Sequence, residues 1–168
     1  MRALVVADTH LTPATLDRMP AEVWAMADEA DVVLHAGDVV DRVVLDALAE
    51  RAPVHAVLGN NDEGRLDLPA ELVLDLAGAT VAVVHDSGAT RGRHGRMARR
   101  YPTAEVVVFG HSHTPLVERE GDGPLLVNPG SPTHRRRQPV HTVAWLTLGP
   151  DAPPTAELVE VGPLADPR

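Results

Sequence analysis

The apolar residues of this chain fall into short runs that stop abruptly at a polar residue. Val32–Asp38 (VVLHAGD) shows the pattern, a buried-strand run followed by a Gly-Asp turn. The same form recurs where Leu4–Val6 leads to Asp8 and His10, Val54–Leu58 to Gly59 and Asn60, Val81–Val84 to His85, and Val106–Phe109 to Gly110, His111 and His113. Between the first three runs the period becomes helical. Val23, Trp24, Ala27 and Ala30 form one face behind Pro20 at a first helical position, and Val40, Val43, Val44, Ala47 and Leu48 form another over Val39–Glu50. The resulting β-α-β-α-β order predicts parallel strands with right-handed crossovers.

Past Leu58 the pattern changes. Gly59–Asp67 is polar and reads as loop, and Glu71–Leu76 and Thr80–Val84 flank a Gly78-Ala79 turn as an antiparallel hairpin. Arg91–Tyr101 is dense in arginine and poor in apolar residues, which predicts a short exposed helix between Gly92 and Pro102. The last third reads as all-β: Leu116–Glu120 and Leu125–Asn128 around Gly121-Asp122-Gly123, then Val140–Leu148, then Ala156–Val161, with Gly162–Arg168 as a tail. No internal repeat or long linker divides the chain, so one domain over residues 1–168 is expected.

Composition narrows the partners. Aromatic residues make up 2% of the chain, so its core has to be built of Val, Leu and Ala. A formal charge of −9 argues against wrapping duplex nucleic acid or lying on an anionic membrane. A small anionic substrate stays compatible, because bound cations would reverse the local field. With no Cys, disulfides and thiolate zinc sites are excluded. The start MRALVVAD runs straight into a strand without a basic leader or a membrane-length apolar segment, and a cytoplasmic protein is the expectation.

The candidate chemistry lies at the ends of the apolar runs: Asp8, His10, Asp38, Asn60, His85, His111 and His113. Parallel strands gather their C-terminal ends on one edge, where open α/β sheets collect ligands. Imidazole and carboxylate without thiolate suit divalent manganese, iron, cobalt, nickel or zinc. In Asp8-Thr9-His10 the outer side chains point the same way if the segment is extended, and His111 and His113 share a turn. Two ions about 3.5–4 Å apart need a shared ligand, and Asp38 is the natural bridge. Spacing alone leaves a mononuclear hydrolase or a metal-dependent binding protein open. His35, His55, His94, His134 and His141 read as core or turn residues, with His35 also able to orient a neighbour.

In order, Asp8-Thr9-His10, Gly37-Asp38, Gly59-Asn60-Asn61-Asp62, His85 and Gly110-His111-Ser112-His113 resemble the calcineurin-like metallophosphoesterase superfamily. The length and Asn128-Pro129-Gly130-Ser131 are similar to its small YfcE-like prokaryotic phosphodiesterases, over roughly residues 1–148. The resemblance implies a four-layer α/β/β/α sandwich. It also implies two divalent ions, manganese first, with nickel, iron, cobalt or zinc as alternatives. Asp8, His10, Asp38 and His113 would hold one, and Asp38, Asn60, His85 and His111 the other. A hydroxide between the ions would attack a small phosphoester, a diester first, with Asp38, Asn60, Asn61 and His111 as the catalytic set. Asp62 would fix the Asn60 loop.

Two residues depart from the family pattern. Many relatives carry His after the Gly-Asn pair, where this chain has Asn61. An amide can bond a phosphoryl oxygen but cannot deliver a proton as an acid does, which favours good leaving groups. Asp86 follows His85 where Gly is expected, and it reads either as a group at the mouth of the site or as a turn former. Arg135-Arg136-Arg137 reads as a phosphate contact, an exposed loop or a contact in a homo-oligomer. The rival function is a non-catalytic interaction protein on the same fold, like a retromer subunit that resembles this family with an impaired metal site. A phosphomonoesterase is the nearer alternative. A nuclease lacks support in length and charge.

Overall fold

Alternation along the central strands sorts the core into layers. The computed structural model describes residues 1–162, and of the tail expected over Gly162–Arg168 all but Gly162 lies outside the described residues. In β1 (Arg2–Val6), Ala3 and Val5 face one buried cluster while Leu4 and Val6 face another. β2 (Val32–His35) repeats this, with Val32 and Leu34 on one side and Val33 on the other. Both faces of these strands are therefore covered, and their sequences read as continuous apolar runs.

The first sheet has the order β10-β9-β1-β2-β3, with β3 at Val54–Ala56, β9 at His141–Thr147 and β10 at Thr155–Val161. β1, β2 and β3 are parallel, and β9 runs antiparallel to both β1 and β10. The second sheet has the order β4-β5-β6-β8-β7, from β4 (Glu71–Leu76), β5 (Ala79–Val84), β6 (Val106–Val108), β7 (Leu116–Glu118) and β8 (Leu125–Asn128). Here β5, β6 and β8 are parallel. Ala3, Val5, Val32 and Leu34 of one sheet join Val81, Val83, Val106, Val108, Leu125 and Val127 of the other in a single cluster between the sheets.

Helices complete the sandwich. α1 (Ala21–Glu29) and α2 (Arg42–Ala49) bury Val23, Ala27, Val44 and Leu48 against Leu4, Val6 and Val33. α3 (Arg93–Arg100) buries Met97 with Tyr101 against Ala82, Val84, Val107 and Phe109 on the second sheet. The order is α/β/β/α. Among the described residues no helix is long and apolar enough to cross a membrane.

Several expectations shift. α2 begins at Arg42 rather than Val39, because Asp41 caps it by accepting from the Val43 N–H at 3.0 Å. Val39 and Val40 stay in the loop, and Val40 has φ +79°. The hairpin turns at Ala77-Gly78, with φ +53° and +85°, so Ala79 already belongs to β5. α3 is not wholly exposed, since His94 and Met97 are buried. Of the last four strands, β7 and β8 join the second sheet and β9 and β10 the first.

Candidate metal centre

The C-terminal ends of β1, β2, β3, β5 and β6 deliver the candidate residues. The expected common sheet edge is in fact the meeting of two, with Asp8, His10, Asp38 and Asn60 leaving the first sheet and His85, His111 and His113 the second. The backbone there is unusual. Asp8, His10, Asp38, His111 and His113 all have positive φ, from +48° to +65°. Non-glycine residues adopt this region only at a cost, and such strain concentrates where side chains are aimed for function. Asp8-Thr9-His10 is therefore not extended; left-handed turns, rather than strand alternation, bring its outer side chains together.

The donor atoms converge in two groups. Asp8, His10 and His113 form one, and Asp8, Asp38 and His85 form another. His113 Nε2 lies 3.4 Å from Asp8 Oδ1 and 3.4 Å from His10 Nε2. Asp38 faces both ways: its Oδ2 is 3.5 Å from His10 Nε2 and its Oδ1 is 3.5 Å from His85 Nε2. Asn60 Oδ1 sits 3.2 Å from His85 Nε2 and 3.0 Å from His111 Nδ1. All seven residues expected as ligands are thus within one site.

Outer bonds fix which nitrogen looks inward. His85 Nδ1–H donates to Ala36 O at 2.7 Å and His113 Nδ1–H donates to His134 O. Each imidazole then presents a lone pair at Nε2 to the carboxylates. The Oδ2 of Asp8 is buried and has no hydrogen-bond partner among the described residues. A set of inward acceptors with so few donors is satisfied by cations, and its N/O character fits divalent ions of the manganese-to-zinc series.

The electrostatics agree with that fit. Burial, reinforced by the Asp38 charge, pushes the Asp8 carboxyl up to about 8. Burial also pushes His113 down to about 4 and holds His10 below its ordinary value. Burial alone would raise Asp38, but it is outweighed by bonds from Asn61 and by His85 and His10, which leave the carboxyl low. Asn61 supplies its backbone N–H to Oδ1 at 2.9 Å and its Nδ2 to Oδ2 at 2.6 Å. One of its two amide N–H groups is thus committed to Asp38.

The remaining motifs act on the loops. Asp62 accepts from Val40 N at 2.7 Å and from Gly59 N at 2.8 Å, clasping the loops after β2 and β3. A Cβ on Gly59 would strike Asp38, so only glycine allows that approach. In the Asn128–Ser131 motif, Asn128 Nδ2 donates to Gly110 O at 2.9 Å and Ser131 Oγ to Asp8 O at 2.8 Å. The sequence carried the motif but not this role. His35 is fully buried, bonds Thr9 Oγ1 at 3.1 Å through Nε2, and leaves Nδ1 unpartnered among the described residues. His94 is satisfied by Pro124 O at 3.0 Å, as a core residue should be.

His134 differs from its reading as a core or turn residue: it is exposed, with its ring edge-on to His10 at 5.1 Å. Nothing in its local sequence signals this, because the contact joins distant loops. Arg136 acts electrostatically on Asp8, His10 and His113. Asp86 forms a turn bond, accepting from Gly88 N at 2.7 Å.

A family model for the calcineurin-like phosphoesterase superfamily domain matches residues 1–151. The chain belongs to that superfamily. A probable metallophosphoesterase of Methanocaldococcus jannaschii is 36% identical over 132 residues, which are 77% of this chain and 67% of that protein. Among solved structures, a substituted Vps29 of Entamoeba histolytica superposes with TM-score 0.75 at 21% identity, over 96% of this chain and 100% of that one. A novel archaeal phosphodiesterase does so with TM-score 0.72 at 19% identity, over 95% and 100%. These two likenesses show the calcineurin-like fold, and within it the site carries candidate metal-binding residues.

Proposed function

We propose that this chain is a metal-dependent phosphoesterase using two divalent ions, with phosphodiesters as its first substrate class. Asp8, His10, Asp38 and His113 would hold one ion, and Asp38, Asn60, His85 and His111 the other. Support comes above all from Asp38, whose two oxygens face His10 and His85 at 3.5 Å each. Asp8 belongs to both donor groups as well, but its Oδ1 lies toward His113 and accepts the His111 N–H at 3.2 Å, whereas Asp38 turns one oxygen to each side. We take Asp38 as the bridge on that two-sided placement. When bound, the ions supply an activated water as nucleophile and neutralise charge developing on the phosphoryl oxygens.

The protein's own residues hold and orient. Ala36 O and His134 O fix the imidazoles of His85 and His113, while Asn61 keeps Asp38 ionised and in place. His111 is exposed at the rim and stands where substrate enters. Asn61 offers no proton to the departing oxygen, so leaving groups that depart as stable anions are favoured.

The rival reading, an interaction module, draws on the Vps29 likeness, which carries the fold alone. Metal analysis and hydrolysis of bis-p-nitrophenyl phosphate separate the two. We expect close to two ions per chain after manganese loading, and turnover. Absence of turnover with manganese, nickel, cobalt, zinc or iron between about pH 6 and 9 would exclude the enzyme.

A further inference from the structure

A cleft of about 320 Å³ opens directly beside Asn60, His85 and His111, and Glu63, Asp86 and Arg100 stand on its walls. Ala70 and Val84 also line it. Its volume is that of a small organic group, at the lower end of ligand pockets. We infer that this cleft receives the organic substituent of the phosphoester, and that Glu63 and Asp86 select a neutral, hydroxyl-bearing group over one carrying a second phosphate. This rests on the phosphoesterase reading, which puts the reacting phosphoryl group at Asn60, His85 and His111.

The charges on the walls decide the class. Among the described residues Arg100 is the one permanent cation on those walls, and its charge is paired: its Nη2 donates to Glu71 Oε2 at 2.7 Å. Tyr101 O–H donates to the same oxygen at 2.5 Å, which holds that carboxylate on Arg100. Asp86 uses Oδ1 for the Gly88 N–H, and Glu63 makes no hydrogen bond among the described residues. Both carboxylates are exposed at the cleft. A carboxylate beside a bound ester accepts hydrogen bonds from hydroxyls, as an acidic residue does on a ribose in dinucleotide sites. It repels a second phosphate. Negative charge is thus welcome at the metal centre and penalised one group further out.

The test uses the full chain loaded with manganese and two symmetric substrates. One is the diester of phosphate with two glycerols, and the other is the same diester phosphorylated at both outer hydroxyls. Whichever end enters the cleft, it carries the group under test. Turnover of bis-p-nitrophenyl phosphate is measured alongside; if that is absent, the phosphoesterase reading has failed rather than the cleft assignment. With turnover present, the neutral diester should be preferred by roughly tenfold in kcat/KM, mostly through KM. The preference should shrink at high salt. The double variant Glu63→Gln with Asp86→Asn keeps an acceptor for Gly88 N and removes both charges. It should bring the two substrates within about twofold by improving the phosphorylated one. Glu160→Gln, an exposed carboxylate on β10, should leave the preference as it was. An equal rate on both substrates in the unsubstituted protein, or an unchanged ratio in the double variant, would overturn the inference.

Discussion

Asp38 combines three demands in one carboxylate. It must stay ionised while 1% exposed, face two donor groups, and sit on a backbone with φ +57°. Asn61 meets the first by giving two hydrogen bonds, and the Gly37 turn and the bare Cα of Gly59 make room for the others. Asp38→Asn keeps the shape and removes the charge. It should lose both ions and cut activity by more than the roughly 10–100-fold typical of an outer partner. Metal analysis of the folded variant decides: loss of one ion with activity kept would remove Asp38 as the bridge. Asn61→Ala deletes only the Nδ2 donor and leaves the backbone N–H. Manganese affinity should fall by about 10–100-fold in a calorimetric titration, with the fold intact. An unchanged affinity would mean that Asn61 does not hold the bridge in place.

Elements matter here through the loops they hold. α3 is not a basic ornament, because Arg96 reaches back across the loop after His85. Its Nε and Nη2 donate to Ser87 O at 3.1 and 2.7 Å, and Nη2 also reaches Ala89 O. Arg96→Gln should cost about 1–3 kcal/mol, which is roughly 3–10 °C in Tm for a chain of this size. A melting temperature within a degree of the parent would show that this strap is not holding the loop. The strands and helices were legible because their apolar periods are local and unbroken: Val32–Leu34 has one reading, and so does the Glu71–Val84 hairpin. α2 was placed too early because Val39 and Val40 extend its apolar pattern, while the Asp41 cap and the Asp62 clasp on Val40 N hold them outside. The left-handed backbone at Asp8, His10 and His111 left no trace in residue type, since Asp and His tolerate it without demanding it.

At the scale of the whole molecule, pairing between distant strands was illegible: β9 lies against β1 although some 135 residues separate them, and neither strand's pattern names its partner. That pairing brings His134 to the metal centre, and the closure of two sheets buries Asp8. Burial couples the site to global stability, with opposite signs for its acids and bases. Asp8 titrates at about 8 when folded and at its ordinary 3.8 when unfolded. Between those values the folded, metal-free chain holds the extra proton, so stability falls as pH rises. His35 and His113, pushed down to about 3 and about 4 from 6.5, do the reverse: the unfolded chain holds their protons, and stability rises with pH up to 6.5. His10 and His134 are lowered as well and act in the same direction. Below about pH 6.5 the histidines outnumber the carboxyl and stability climbs. Above it the histidine contribution fades over about one pH unit and Asp8 takes over, so stability levels off and then declines toward pH 8 with a slope below the roughly 1.4 kcal/mol per pH unit of one full proton. Metal-free protein should therefore be most stable at about pH 6.5–7 in a thermal melt. Saturating manganese takes the place of the Asp8 proton and should remove the alkaline decline, so that the melting temperature holds or rises through pH 8. A metal-free protein that keeps gaining stability from about pH 7 to 8 would show that Asp8 is ionised without a cation, and the site would then need no metal to tolerate its own charge.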